Sequence, residues 1–350
     1  MPCIEGLGAH IMRRFATWSI LVFAALSGVA RADTTCPPLT LVTSVDMHIG
    51  DDGRVYVPTK IAGTPKSMLV DTGGFFSEIT QSAVAELKLD THHVGLQLIG
   101  VAGDTTNVVA RAPFVIGNLH ADYMDLMVMA SVHEFASDVT DAAGIIAPNL
   151  LSSYDVDFDF GGHKFNLLSQ NHCAGKVVYW PADAVAVVPF AINSDGHIVV
   201  PVAVDGQTFS AVLDTGASNT VFNLEVAKSA FSLVPGNNDT PVRAKMMTSS
   251  GPTSTYTHRF GSLSLEGIAV ANPSIELIPD LMRNKRMDPK DSLEGGTRLP
   301  DPSRAVGFGD MILGMDILHN LHVYIAYKEK KLYITPATAP AAKPAAGANR

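Results

Sequence analysis

Short apolar runs, many alternating with polar residues, are separated along the chain by clusters of Gly, Pro, Asn and Asp, and this pattern predicts strands joined by turns. Val55–Ile61 and Met68–Val70 flank Ala62-Gly63-Thr64-Pro65 and predict one hairpin. Ile198–Val204 and Phe209–Leu213 flank Asp205-Gly206, a strong hairpin signal, and predict another. A short helical stretch follows each, near Ser82–Leu87 and Leu224–Phe231. Further strands are expected around Phe114–Ile116, Met124–Met129, Phe260–Leu265 and Ile275–Ile278.

The two hairpins are copies of one unit. Arg54–Gly73 aligns with His197–Gly216 without a gap at an offset of 143 positions. Val57, Pro58, Gly63, Ser67, Asp71, Thr72 and Gly73 then fall on Val200, Pro201, Gly206, Ser210, Asp214, Thr215 and Gly216. Each copy also closes alike. Ile145–Leu151 leads to the alternating strand Val156–Phe160, and Ile312–Leu318 leads to Val323–Tyr327; Lys164–Leu168 and Lys331–Ile334 follow. The offset there is 167, so the second copy carries a net insertion of 24 residues, and the charged, Gly- and Pro-rich stretch Leu281–Phe308 is the obvious place for a surface loop. The expected organisation is a leader over 1–32, an N-terminal lead over 33–44, a first lobe over 45–170, a linker over 171–188 containing Trp180-Pro181, a second lobe over 189–336, and a Pro/Ala-rich tail over 337–350.

Composition narrows the function classes. The chain has 350 residues, 47% hydrophobic and 17% charged, enough for a sizeable core and unlike a disordered chain. Arg13-Arg14 precede an apolar run from Phe15 to Ala30, and Ala30-Arg31-Ala32 has the small-x-small form of a cleavage site, so export to the periplasm or medium is expected. At 16 residues the run is short for a spanning helix. Without residues 1–32 the chain keeps 22 basic and 33 acidic residues, a net charge of −11, with no basic footprint for nucleic acid. Cys3 would leave with the leader; Cys36 and Cys173 then form either a single disulfide or two unpaired thiols.

The chemistry sits in the tripeptide Asp-Thr-Gly, which ends a hydrophobic strand twice, as Asp71-Thr72-Gly73 and Asp214-Thr215-Gly216. Two carboxylates about 3 Å apart cannot both ionise readily and share one proton, as the aspartic-protease dyad illustrates. The ionised partner can then take a proton from a water that attacks a carbonyl, while the protonated partner donates to the carbonyl oxygen. No metal, nucleotide or other cofactor is needed.

The two triplets, with Ile145-Ile146-Ala147 and Ile312-Leu313-Gly314, resemble the pepsin–retropepsin superfamily of aspartic proteases, most closely the bacterial retropepsin-like proteins, here with both lobes in one polypeptide. The resemblance implies a mostly β, two-lobed fold with pseudo-two-fold symmetry and few short helices. It implies an aspartic endopeptidase, monomeric, with a polypeptide substrate and Asp71 and Asp214 as the catalytic pair. Thr72 and Thr215 would hydrogen-bond across the lobes, and Gly73 and Gly216 would make the tight turns that present the carboxylates. Candidate flap tips are Gly103, within Gly100–Thr106, and Gly251, within Met246–Pro252; neither segment contains the Tyr typical of the pepsin flap. Two positions depart from the family pattern. Gly74-Phe75 stands where the second copy has Ala217-Ser218, and Ala147 stands where Gly is usual.

These departures motivate the alternative of a catalytically idle peptide-binding protein of the same fold; a structural envelope protein anchored by its leader is a third reading. No metal site is expected: His92-His93 would point apart in a strand, and His319-x-x-His322 lacks a companion carboxylate motif. Gly161-Gly162 reads as a hairpin turn, and Met246-Met247 and Met311 with Met315 as core filling.

Overall fold

The computed structural model describes residues 36–99, 105–130, 133–193, 196–248, 251–279 and 309–337. The expected leader, the tip containing Gly103, the Leu281–Phe308 insertion and all of the tail but Ala337 lie outside them. The described chain is mostly β, with four short helices, as the alternation predicts.

Both hairpins form where the pattern places them. Val55–Ile61 pairs antiparallel with Thr64–Val70, and Ile198–Val204 with Gln207–Leu213. The first turn is narrower than expected: Ile61 pairs with Thr64 and Lys60 with Pro65, leaving only Ala62-Gly63 at the bend. Ala62 and Gly63 take φ of 49° and 80°, and Asp205 and Gly206 take 46° and 81°. Two consecutive left-handed residues match the twist of the flanking strands, so the tight turn wins over the wider one. Ile198, Val200, Val202 and Val204 alternate into the core with half-exposed neighbours.

In each copy the second hairpin strand runs parallel to the closing segment. Leu69 and Val70 pair with Ile145 and Ile146, and Val212 and Leu213 pair with Ile312 and Leu313. These central strands, buried on both faces, end at Asp71 and Asp214. The helices follow as predicted, at Gln81–Leu87 and Leu224–Phe231. Thr80 and Asn223 cap them by accepting hydrogen bonds from first-turn N–H groups, and left-handed Lys88 and Ser232 end them.

A third sheet holds strands from both copies, in the order Leu41–Asp46, Lys164–Leu168, Asp155–Asp159, Leu321–Ala326, Lys331–Pro336, Ala186–Pro189. Its centre pairs Val156 with Ile325 and Phe158 with Val323. Two of its strands cross the segment boundaries drawn from the sequence: Leu41–Asp46 begins within the lead, and Ala186–Pro189 lies across the end of the linker. Leu321–Ala326 is buried along its whole length, as a strand covered on both faces must be. Cys36 and Cys173 are both disulfide-bonded. Among the described residues no helix is long and apolar enough to cross a membrane.

This central sheet carries a buried polar cluster. Asp155 accepts hydrogen bonds from Tyr324 Oη (3.0 Å) and the Tyr327 N–H (3.1 Å), and His172 Nε2 lies 2.7 Å from it. His322 Nε2 lies 2.7 Å from Asp157, which also accepts from Tyr179 and from Asn166 (2.8 Å). Trp180 stacks on His322 at 3.9 Å, tying the linker to the sheet. Burial works against a charge on His172, but the Cys173 carbonyl, the Asp155 carboxylate and Glu329 outweigh it and raise its pKa. Burial raises that of Asp155.

Both shifts favour protons in the folded state. The contribution of His172 is complete below about pH 6.5, the unfolded value, and is lost as pH rises through the higher folded value. Asp155 acts in the same direction at lower pH. The melting temperature is therefore expected to fall from pH 6 to 8, and His172→Gln to flatten that slope, in thermal scans across pH; an equal slope in the variant would refute the assignment.

Candidate active site

The two central strands deliver Asp71 and Asp214 to one place, where the backbone fixes each of them. The Asp71 N–H donates to the Ile146 carbonyl (2.9 Å) and the Asp214 N–H to the Leu313 carbonyl (3.1 Å). Each side chain turns back on its own loop. Asp71 Oδ1 accepts from the Gly73 N–H and Asp214 Oδ1 from the Gly216 N–H, both at 2.8 Å. Both residues are buried, with 1% and 8% of their surface exposed.

The threonines lock the loops reciprocally. Thr72 Oγ1 donates to the Leu213 carbonyl (2.7 Å) and accepts from the Thr215 N–H (3.0 Å). Thr215 Oγ1 donates to the Val70 carbonyl (2.7 Å) and accepts from the Thr72 N–H (3.1 Å). Each hydroxyl satisfies one donor and one acceptor of the opposite copy in a buried site, where an unmade bond is costly.

The glycines set the spacing. A Cβ on Gly73 would lie 2.3 Å from the Asp214 carboxyl carbon, and one on Gly216 would lie 2.4 Å from that of Asp71. Each triplet thus ends in the residue that makes room for the other triplet's carboxylate. The two side chains share a hydrogen bond. Burial, then the negative charge of Asp214, then that hydrogen bond raise Asp71 well above the usual carboxylate range, against the Gly73 and Gly74 N–H groups. Burial also raises Asp214, but the hydrogen bond from Asp71, the Gly216 N–H, the nearby His197 and the Ala217 N–H pull it back. The pair titrates as a unit.

A second ring of residues, which the motifs did not single out, carries these loops. The Ser77 hydroxyl accepts from the Ala147 N–H (3.0 Å) and donates, as does the Ser77 N–H, to Asn149 Oδ1 (2.8 Å each). In the second copy the Thr220 hydroxyl accepts from the Gly314 N–H (3.1 Å), and its own hydroxyl and N–H donate to Asp316 Oδ1 (2.6 and 2.7 Å). Ser77 and Thr220 stand at the offset of 143, and Asn149 and Asp316 at 167, so the repeat itself holds the signal.

The two departures compensate each other. A Cβ on Gly314 would lie 2.5 Å from the Asn219 backbone, so Gly is required there. Ala147, its counterpart, keeps its methyl because the facing residue is Gly74, where a Cβ would meet that methyl at 3.3 Å. One tether does differ: the Met315 N–H donates to the Ala217 carbonyl (2.9 Å), whereas Pro148, its counterpart, has no N–H. Of the candidate flap tips, Gly103 lies outside the described residues; Gly251 pairs with Thr248 at the end of the hairpin Val242–Thr248 and Gly251–Arg259.

A family model described as aspartyl protease matches residues 200–317, which include the second triplet and Gly314. The match supports the aspartic protease superfamily recognised in the two triplets. No curated protein is detectably similar in sequence. Similar solved structures include the aspartic proteinase from Irpex lacteus, 15% identical over 85% of this chain and 98% of that one, with a TM-score of 0.45. Basic 7S globulin from soybean is 10% identical over 86% and 96% of the two chains, with a TM-score of 0.46.

Thr72→Val keeps the shape but strands the Thr215 N–H and the Leu213 carbonyl; at about 1–3 kcal/mol for each buried unsatisfied group, it is expected to cost about 2 kcal/mol or more. Thr72→Ser should cost far less, and urea-denaturation midpoints compare the two. By the same measurement Gly314→Ala should be strongly destabilising, while Ala147→Gly should cost only about 1 kcal/mol.

Proposed function

We propose that the chain is an aspartic endopeptidase in which Asp71 and Asp214 activate a water molecule between them. The observation that carries this is the reciprocal seating of the two carboxylates, each against the other copy's glycine and joined by one hydrogen bond. Such a pair has no structural need to be buried, and its mutual repulsion works against folding. Its use is as an acid and a base at one point.

The pair holds one shared proton, so one carboxyl acts as the acid and the other as the base. The ionised partner takes a proton from water as the oxygen adds to the scissile carbonyl, and the protonated partner gives its proton to the carbonyl oxygen. The resulting gem-diol collapses when the proton taken from water passes to the leaving amine and one on the diol returns to the partner that gave its proton, which restores the pair. Thr72, Thr215, Gly73 and Gly216 hold the two carboxylates at hydrogen-bonding distance throughout. One chain supplies both carboxylates, so a monomer suffices. We further propose export with removal of residues 1–32, which N-terminal sequencing of the secreted protein tests.

Cleavage of a peptide library by the purified chain lacking the leader should be lost in both Asp71→Asn and Asp214→Asn. Activity surviving either substitution would exclude the mechanism. An absence of cleavage by well-folded protein would favour the idle peptide-binding alternative. Because both carboxyls are raised, the bell-shaped profile of kcat/KM should peak above about pH 4, the ordinary carboxylate value. Its alkaline limb should report loss of the shared proton.

A further inference from the structure

We infer that residues 170–180 form a strap across the junction of the two copies, latched by His172 and released as pH rises, and that its release slackens the seating of the two triplets. This goes beyond the peptidase reading and does not require it. The strap holds both copies at once. On the first copy, Gln170 Nε2 donates to the Ser152 and Tyr154 carbonyls (2.9 and 3.0 Å), His172 Nε2 lies 2.7 Å from Asp155, and the Tyr179 hydroxyl donates to Asp157. On the second, the Gly175 N–H donates to Glu329 (3.0 Å), and Trp180 donates to the Thr335 hydroxyl (3.1 Å) while stacking on His322. Cys173 is disulfide-bonded, which pins the strap beside the latch when its polar contacts open.

The latch is a buried charge group. The His172 side chain is 2% exposed, and those of Asp155 and Glu329 are 0% and 9%. Asp155 belongs to the first copy's strand Asp155–Asp159. Glu329, 3.9 Å from His172 Nδ1, lies in the turn between the second copy's Leu321–Ala326 and Lys331–Pro336. A protonated imidazole thus joins a carboxylate of each copy, and a neutral one withdraws the countercharge from both. Three phenols complete the surroundings: Tyr324 donates to Asp155 (3.0 Å), Tyr333 donates to Glu329 (2.7 Å), and Tyr327 bonds Asp155 through its N–H. Burial raises all three phenols, so they keep their protons where His172 titrates. Further along the strap, His322 sits between Asp157 and Asp159 (2.7 and 3.6 Å).

The junction leads directly to the Asp pair. Asp155–Asp159 continues the closing segment whose Ile146 carbonyl holds the Asp71 N–H, and Leu321–Ala326 continues the one whose Leu313 carbonyl holds the Asp214 N–H. Gln170 grips the turn between Ala147 and Asp155. Movement at the strap is therefore passed to the loops within a few residues.

Amide hydrogen exchange of the full chain from pH 6 to 8.5, corrected for the intrinsic rate, tests the inference without reading cleavage. Opening of residues 170–180 should rise by up to about tenfold per pH unit above about pH 6.5, as one proton is released. Peptides carrying the Thr72 and Thr215 N–H groups should lose protection over the same range, with far-UV circular dichroism unchanged. In a Trp18→Phe chain, whose remaining tryptophan is Trp180, the emission should shift to the red with the same midpoint. His172→Gln should abolish the pH dependence. Glu329→Gln, which keeps an acceptor for the Gly175 N–H, should shorten the rise, and it decides the matter with the parent chain should His172→Gln fail to fold. Strap protection independent of pH, an equal rise in either folded variant, or strap opening that leaves the Thr72 and Thr215 amides untouched would each overturn the inference. So would a parallel loss of circular dichroism, which would mean global unfolding.

Discussion

Two carboxylates in one water-poor site repel each other, and the fold is organised around holding them there. Burial and proximity both work against ionisation, so neither Asp71 nor Asp214 would settle in place unaided. The structure meets this constraint with backbone rather than with countercharge. Each carboxylate accepts N–H bonds from its own loop, and each loop is tied to the other by a threonine hydroxyl that both donates and accepts. A positive side chain inside the loops would have made an inert ion pair; amides and hydroxyls hold the carboxylates while leaving a proton mobile between them.

The same constraint explains why glycine and alanine are distributed as they are. Gly73 and Gly216 leave space for the opposite carboxylates. Behind the loops the closing segments pass close to the chain just past each triplet: Gly314 leaves room for the Asn219 backbone, and Ala147 faces Gly74, where an added Cβ would meet its methyl at 3.3 Å. Further out, Ser77 with Asn149 and Thr220 with Asp316 bind the closing segments to the loops, so the parallel strand pairs cannot slide and carry the carboxylates apart.

Much of this was legible in the chain. The hairpins, the helices Gln81–Leu87 and Leu224–Phe231 and the closing strands follow from local alternation and turn chemistry, which act over a few residues. The repeat extended that reach, because matched residues at offsets of 143 and 167 imply matched environments. What escaped was what depends on contacts between the copies. Nothing local shows that Val156–Phe158 pairs with Val323–Ile325, or that His172, His322, Tyr324 and Asp155 meet in one buried cluster. Thr64-Pro65 has loop composition, yet strand pairing overrides it and confines the turn to Ala62-Gly63.

Symmetry and asymmetry therefore do different work here. Duplicated elements supply geometry, since two copies of one loop related by a pseudo-two-fold bring two carboxylates face to face without separate solutions for each. Identical environments would leave the shared proton evenly divided, whereas acid–base action on one water needs a donor and an acceptor that are distinct. The copies differ just past the triplets, Gly74-Phe75 against Ala217-Ser218, and in the closing segments, Pro148 against Met315. Met315 gives the Asp214 loop a backbone tether to the Ala217 carbonyl that Pro148, without an N–H, cannot give the Asp71 loop. A duplicated fold can thus keep its scaffold symmetric while the residues behind its two loops differ.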